Sequence, residues 1–305
     1  MTFRRVALAV LVLLGAVAVA AFAWPGFLLM SGEVPRGSLV FQGRDPDVGY
    51  RLFTVRADGS TLRQLPVPLQ RAQGFPRYSP DGRLLAFIAE GDDGKEDLYL
   101  ANADGSDPRS IAPSPGEPEG APSWSPDGKT IAFSSRRDGN WEVYVVSVDG
   151  TGLRRLTNDP GFDGAPVFSP DGKTIAFTSD RGGGNSHIYL MNPDGTGLRK
   201  LTSGQDDSAP DYSPDGNKIA FVAFTSGNAD IWIMNANGSD PHRVTTDSRF
   251  EYNPRWSPDG RWLAFEVYAT TFPDIYVMRP DGTDRHRVTN TGRYAGGPAW
   301  FPRQG

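Results

Sequence analysis

From residue 38 onward, short apolar runs alternate with polar turns, and no stretch carries a helical repeat of apolar positions. The segment 165–202 shows the unit most fully. Pro166-Val167-Phe168-Ser169 reads as a first strand, and Pro170-Asp171-Gly172 turns it. Pro fixes φ near −65° and Gly accepts positive φ, so this is hairpin chemistry. Thr174–Ser179 is a second strand rich in β-formers, and Ile188–Asn192 a third, closed by Asp194-Gly195. Leu198–Thr202 is a short outer strand carrying charge, as an edge strand should.

The unit recurs. Ser-Pro-Asp-Gly stands at Ser79–Gly82, Ser125–Gly128, Ser169–Gly172, Ser213–Gly216 and Ser257–Gly260, spaced 46, 44, 44 and 44 residues apart. A second turn pair falls at Asp58-Gly59, Asp104-Gly105, Asp149-Gly150, Asp194-Gly195, Asn237-Gly238 and Asp281-Gly282. A period near 44 is that of a four-stranded propeller blade and too long for leucine-rich, ankyrin or tetratricopeptide units. The ends complement one another. Ser38–Phe41 reads as a second strand lacking a first, and Pro298–Phe301 as a first strand lacking a second. Their pairing closes the ring and leaves no free edge between first and last blades. The expectation is an all-β fold, a six-bladed β-propeller of four-stranded antiparallel blades over residues 38–305, closed by its N- and C-terminal strands.

The beginning of the chain differs. Arg4 and Arg5 precede an uncharged run from Val6 to Met30, 25 residues dominated by Ala, Val and Leu. As a helix it spans roughly 37 Å, enough to cross a bilayer, whereas the apolar part of a cleavable signal is only about 7–15 residues long. Ala21-Phe22-Ala23 does offer an A-x-A cleavage pattern. The reading is an N-terminal hydrophobic helix over residues 1–30 that serves as signal anchor, with a cleaved signal peptide as the alternative, then a linker over 31–37. Either way the two arginines stay cytoplasmic and the propeller is exported to the cell envelope, anchored, or periplasmic or secreted if cut.

Composition narrows the chemistry. Gly (36) and Pro (26) fit many turns, and the absence of cysteine excludes disulfides, thiolate metal sites and a cysteine nucleophile. Beyond residue 37 there are 28 basic and 35 acidic side chains, a net −7, which argues against a nucleic-acid partner. No G-x-S-x-G occurs, so no nucleophile elbow is available. Gly128-Lys129-Thr130 and Gly172-Lys173-Thr174 resemble the end of a phosphate loop but lead into strands and lack its first glycine. Ser186 and His187 are strand neighbours facing opposite ways, and His242 and His286 share a rim position where other copies have Arg154 and Arg199. Neither constellation is catalytic, and no metal ligand set is assigned. The Asp-Gly turns offer one carboxylate each, fewer than a calcium loop needs.

One constellation stands out. The residue three before each first-strand proline runs Gln73, Glu119, Asp163, Asp207, Glu251 and Ala295. In a six-fold ring these lie side by side, so four successive carboxylates would gather near one channel mouth and attract a basic segment or a cation such as calcium. Phe75, Phe162, Phe250, Tyr252 and Tyr294 occupy the same loops, and aromatics beside charge are interface-like. The alternative is scaffold: each acid caps backbone or pairs with an arginine such as Arg109, Arg155, Arg199 or Arg243, and the aromatics plug gaps between blades. Trp124, Trp256 and Trp300, with Tyr78, Phe168 and Tyr212, share a repeat position that reads as core. So does the set Tyr99, Tyr144, Tyr189, Trp232 and Tyr276.

The pattern G-x-P-x-W-S-P-D-G-K-x-I-A-F, followed by Ile-Tyr-Val-Met and D-G-T-x-x-x-x-L-T, resembles the TolB-type propeller repeat. Gly120–Thr157, Gly164–Thr202 and Asp274–Thr289 carry it most fully. The resemblance covers residues 38–305, the propeller part only, without the α/β domain that precedes it in the family's namesake. It implies a periplasmic module that binds other envelope proteins through its propeller mouth. The reading is therefore a protein- or peptide-binding scaffold, a monomer without catalytic residues or required cofactor, tethered through its N-terminal helix. The alternative is a carbohydrate-binding or carbohydrate-cleaving propeller using channel carboxylates, for which Glu119 with Asp163, or Asp207 with Glu251, are the candidate pairs.

Overall fold

The computed structural model describes residues 35–302, apart from 48, 70–72, 92, 93, 95, 115, 116, 226 and 270. The expected apolar helix over 1–30 and the first part of the linker lie outside the described residues. Among the described residues no helix is long and apolar enough to cross a membrane.

Twenty-four strands form six four-stranded sheets. Blade one takes β1 (Ser38–Asp45), β2 (Gly49–Arg56) and β3 (Arg63–Gln64). Blade two is β4 (Gln73–Tyr78), β5 (Leu84–Glu90), β6 (Glu96–Asn102) and β7 (Arg109–Ser110). Blade three is β8 (Glu119–Trp124), β9 (Thr130–Ser135), β10 (Glu142–Ser147) and β11 (Arg154–Arg155). Blade four is β12 (Asp163–Phe168), β13 (Ile175–Ser179), β14 (His187–Met191) and β15 (Arg199–Lys200). Blade five is β16 (Asp206–Tyr212), β17 (Lys218–Thr225), β18 (Asn228–Asn235) and β19 (His242–Arg243). Blade six is β20 (Phe250–Trp256), β21 (Leu263–Tyr268), β22 (Asp274–Met278) and β23 (His286–Arg287). β24 (Ala295–Trp300) returns to pair antiparallel with β1, Leu39 opposite Trp300 and Gly43 opposite Ala295. This is the expected clasp, and it extends further along both strands than Ser38–Phe41 and Pro298–Phe301.

The first strand of every blade contacts those of its neighbours, so β4, β8, β12, β16, β20 and β24 ring the axis. The core lies between blades. Phe41, Phe87, Phe133, Phe177, Phe221 and Phe265 hold one repeat position on the second strands, and all are buried. Each apolar cluster draws on two adjacent blades, as where Phe41 and Val55 pack with Trp262, Ile275 and Val277. The Ser-Pro-Asp-Gly turn explains its own signature. Ser79 Oγ donates to Asp81 Oδ1 at 2.6 Å and accepts the Leu84 N–H at 2.9 Å, and Gly82 takes φ 70°. The carboxylates of these turns are thus committed to the turns.

Every inner strand carries a bulge that periodicity did not reveal. Phe75, Ala121, Ala165, Ala209, Asn253 and Gly297 have φ between 48° and 60°, and the register slips there on each strand. The next residue is always proline: Pro76, Pro122, Pro166, Pro210, Pro254 and Pro298. Proline has no N–H to leave unpaired where the ladder opens. The bulge turns its own N–H toward the preceding blade. Ala165 N–H reaches Ser134 Oγ at 3.0 Å, Ala209 N–H reaches Thr178 Oγ1 at 3.1 Å, and Gly297 N–H reaches Glu266 Oε1 at 2.6 Å.

A left-handed backbone is poorly suited to a branched side chain and open to glycine. Ala165→Val is expected to cost about 1–3 kcal/mol, whereas Ala165→Gly stays within about 1 kcal/mol of the parent. Urea unfolding of the two variants checks this, and equal midpoints would mean that the φ is unstrained.

Candidate functional site

All six inner strands begin at the same end of the ring, and this end is the mouth to which the sequence directs attention. Gln73, Glu119, Asp163, Asp207 and Glu251 do line up there at or next to the strand starts. They are not presented to solvent: their exposures are 1%, 3%, 0%, 2% and 0%. This corrects the picture of four open carboxylates at the mouth. The partners also differ from those expected. Arg155 and Arg243 pair instead with Glu142 and Asp230 on the third strands, and Arg109 donates to the Val148 carbonyl.

The real partners come from elsewhere. Arg137, in the loop after β9, binds Glu119 through Nη2 and stacks over Phe133 and Tyr144 at 5.4 and 5.2 Å. Arg181, from the same loop one blade on, reaches Asp163 at 2.8 Å and stacks over Phe177 and Tyr189. Blade six has Ala269 in that loop. There Arg285, ahead of the outer strand, reaches Glu251 at 2.6 Å and stacks over Phe265 and Tyr276. Asp207 pairs with no arginine among the described residues. His187 Nδ1 stands 3.8 Å from it, and Asp207 Oδ2 accepts the Gly204 N–H at 3.0 Å. Glu119 also accepts the Leu98 N–H of the preceding blade at 2.7 Å. In blades three to six a threonine hydroxyl accepts the equivalent N–H, as Thr157 does from Val143, but that position, just after the outer strand, is Ala112 in blade two. Burial pushes the Glu119 carboxyl up to about 7, against the opposing pull of Arg137 and the Leu98 N–H.

The aromatics divide. Phe162 is half-buried against Trp141 and fills the space that a Cβ on Gly164 would need. Tyr294 does the same over Gly296 and meets Tyr50 edge-on. Phe250 is 39% exposed and stacks on Phe224, while Tyr252 packs edge-on against Tyr268. Phe250, Tyr252, Tyr268 and Ala269 line an open cleft of about 670 Å³. Tyr252 occupies a position that is glycine in four blades and serine in one, so the cleft belongs to one sector of the mouth.

Sequence reading missed what lies beneath. Glu266 is buried on β21, where it accepts from Gly297 N–H and from Asn253 Nδ2, each at 2.6 Å. Burial raises its pKa, and its charge in turn helps to push the Tyr268 and Tyr294 hydroxyls up. Equivalent residues are Gln42, Ile88, Ser134, Thr178 and Val222, so its mark in the sequence was departure from the repeat. Among the described residues no group of three or more His, Asp or Glu could hold a metal ion.

A family model described as TolB beta propeller domain matches residues 50–208 and 205–305. TolB from Acinetobacter baumannii superposes with a TM-score of 0.77 at 28% identity, covering 88% of this chain and 67% of that one. A candidate TolB from Agrobacterium tumefaciens gives 0.63 at 23% identity, covering 88% of this chain and all of that one (100%). An oligogalacturonate lyase in complex with manganese shares the fold alone, at 16% identity, a TM-score of 0.54 and coverage of 83% and 74%. No curated protein sequence matches the chain.

Two outcomes follow from the buried pairs. Arg181→Leu strands Asp163 without its counter-ion and is expected to cost about 3–5 kcal/mol, while Lys173→Ala, which breaks an exposed pair with Asp171, changes stability by less than about 1 kcal/mol. The Glu119 carboxyl has a higher pKa folded than unfolded, so the native state holds the extra proton between its ordinary value of 4.5 and about 7. Its contribution to stability is full below that window and falls as pH rises through it. Glu119→Gln should flatten that slope in urea midpoints measured from acid to neutral pH, and a slope unchanged by the substitution would assign it to another group.

Proposed function

The chain belongs to the TolB β-propeller family, and from that premise we propose that it is an exported scaffold holding a protein or peptide segment of the cell envelope at the mouth where its inner strands begin. The observation that carries this is the exposed Phe250 beside the Tyr252–Tyr268 cleft. Large aromatics with polar tips, set in a concave surface, are what interfaces use for anchoring. The apolar run 6–30 supports tethering to the membrane, with the propeller on the far side from Arg4 and Arg5.

Binding without catalysis is favoured by the state of the acids. A general acid–base pair needs carboxyl groups open to substrate, whereas Glu119, Asp163 and Glu251 are engaged by guanidinium groups in the blade core. Those carboxylates fit the scaffold role, and the aromatic sector is where a partner would be gripped.

The test is cross-linked capture from envelope extract with the full chain, beside Phe250→Ser and Tyr252→Gly. Glycine is what four other blades place at the Tyr252 position, so the fold should tolerate it. Loss of an anchor worth about 2 kcal/mol lowers capture by more than tenfold, with the melting temperature little changed. Capture that is equal in all three proteins would send the site elsewhere.

A further inference from the structure

Arg77, Ser123, Val167, Asp211, Arg255 and Ala299 are equivalent residues, each following a bulge proline on an inner strand. Within the channel, Arg77, Ser123, Val167, Asp211 and Arg255 line a cavity of about 120 Å³ together with alanines and prolines of the bulges. Its volume is that of about four water molecules, enough for one carboxylate or phosphate group.

The two arginines are placed alike. Arg77 Nη1 donates to the carbonyls of Pro76 and Pro298 at 2.8 and 3.3 Å. Arg255 Nη1 donates to those of Pro254 and Pro210 at 3.0 and 3.5 Å. These bonds hold Nη1 of each planar fork, and Arg255 Nε is buried without an acceptor among the described residues. Arg255 and Arg77 stand on blades six and two, and blade one between them offers only Ala299 at this level.

The neighbouring acids do not complete the site. Asp211 Oδ1 lies 3.7 Å from Arg255 Nη1, beyond hydrogen-bond reach, and Oδ2 accepts the Trp256 N–H at 2.8 Å. Glu266 Oε1 already takes two donors. Burial lowers the pKa of both arginines, against the opposing pull of Asp211 and Glu266, and raises those of the two acids. A buried N–H without a partner, as at Arg255 Nε, is costly unless something accepts it. We propose that the axial channel holds one small anion, of carboxylate or phosphate class, between the forks of Arg77 and Arg255. The forks suit an oxyanion in particular, because planar paired donors match its oxygens.

Chloride is the direct probe. The full chain is titrated with sodium chloride, the excess NMR linewidth of the ion is measured, and acetate and inorganic phosphate are added as competitors. The expected result is a saturable broadening that both oxyanions displace. Arg77→Met and Arg255→Met should each weaken it about tenfold, the loss of one charge-assisted bond of ~1.4 kcal/mol. Arg77→Lys keeps charge and bulk but not the fork, so it should also bind more weakly while melting like the parent. N-acetylglycylglycine identifies the source: displacement by it as well as by acetate admits the carboxylate end of a chain, and displacement by acetate alone restricts the site to free ions. Absence of broadening, or broadening equal in parent and Arg77→Lys, would overturn the proposal.

Discussion

The ring depends on a backbone conformation that looks unfavourable in isolation. Six sheets stacked face to face are held by apolar contact, which has no direction, and apolar contact alone would let one blade slide or rotate on the next. The left-handed residue before each inner-strand proline changes this. It swings one N–H out of its own sheet, and at Ala165, Ala209 and Gly297 that N–H finds a side-chain oxygen on the second strand of the preceding blade. At the far end of the same strands, Trp124 Nε1 donates to the Arg77 carbonyl and Trp300 Nε1 to that of Arg255, both at 3.0 Å. Blade one is thereby pinned to blade six at two levels along the axis, and blades three, four and five are each pinned to the preceding blade at one of them. The closing blade carries both kinds of bond, although its strands come from opposite ends of the chain.

In blades three, four and six the polar core solves one problem by two routes. A carboxylate beginning the inner strand must be neutralised, and the guanidinium that does so must lie over the Phe–Tyr pair of strands two and three. Blades three and four supply it from the loop after the second strand. Blade six supplies it from the turn before the outer strand, where Asp247 steadies Arg285 at 2.8 Å and Arg249 at 2.6 Å. Those two arginines hold the Asp247 carboxyl down near 2. What the fold preserves is the position of the charge above the rings, not the place in the chain from which it comes. The outer strands follow a plainer rule, with Arg155, Arg243 and Arg287 answering Glu142, Asp230 and Asp274 at or near the starts of the third strands.

This difference explains how much could be read beforehand. The period, the two turn signatures and the clasp between Ser38–Phe41 and Pro298–Phe301 were legible because each is written in local chemistry. Gly takes positive φ, Ser and Asp bond within their own turn, and an orphan strand at each end implies its mate. The ring of Gln73, Glu119, Asp163, Asp207 and Glu251 was legible as a ring, but its burial was not. Whether an acid faces water or an arginine depends on a residue up to 34 positions away, as with Glu251 and Arg285. The bulge escaped notice for a related reason. Alanine is an ordinary residue, and only the proline after it, repeated six times, hinted at a break in the ladder.

Repetition is also a poor guide to sites, since what recurs in every blade is what every blade needs in order to fold. Tyr252 replaces glycine or serine, Glu266 stands where other blades have Gln42, Ile88, Ser134, Thr178 or Val222, and Arg77 and Arg255 stand where others have Ser123, Val167, Asp211 or Ala299. Burying a charge costs stability unless it is fully partnered, and apolar residues of similar size are often the more stable choice. Three of the other blades hold this position with Ser, Val or Ala, so the ring as such does not require a charge there. These departures fall on blades six and two, on either side of the closing blade, and give one sector of a near-symmetric channel its own charge and its own aromatic lip. Symmetry builds the scaffold, and the breaks in symmetry are where a ligand can tell one side of it from another.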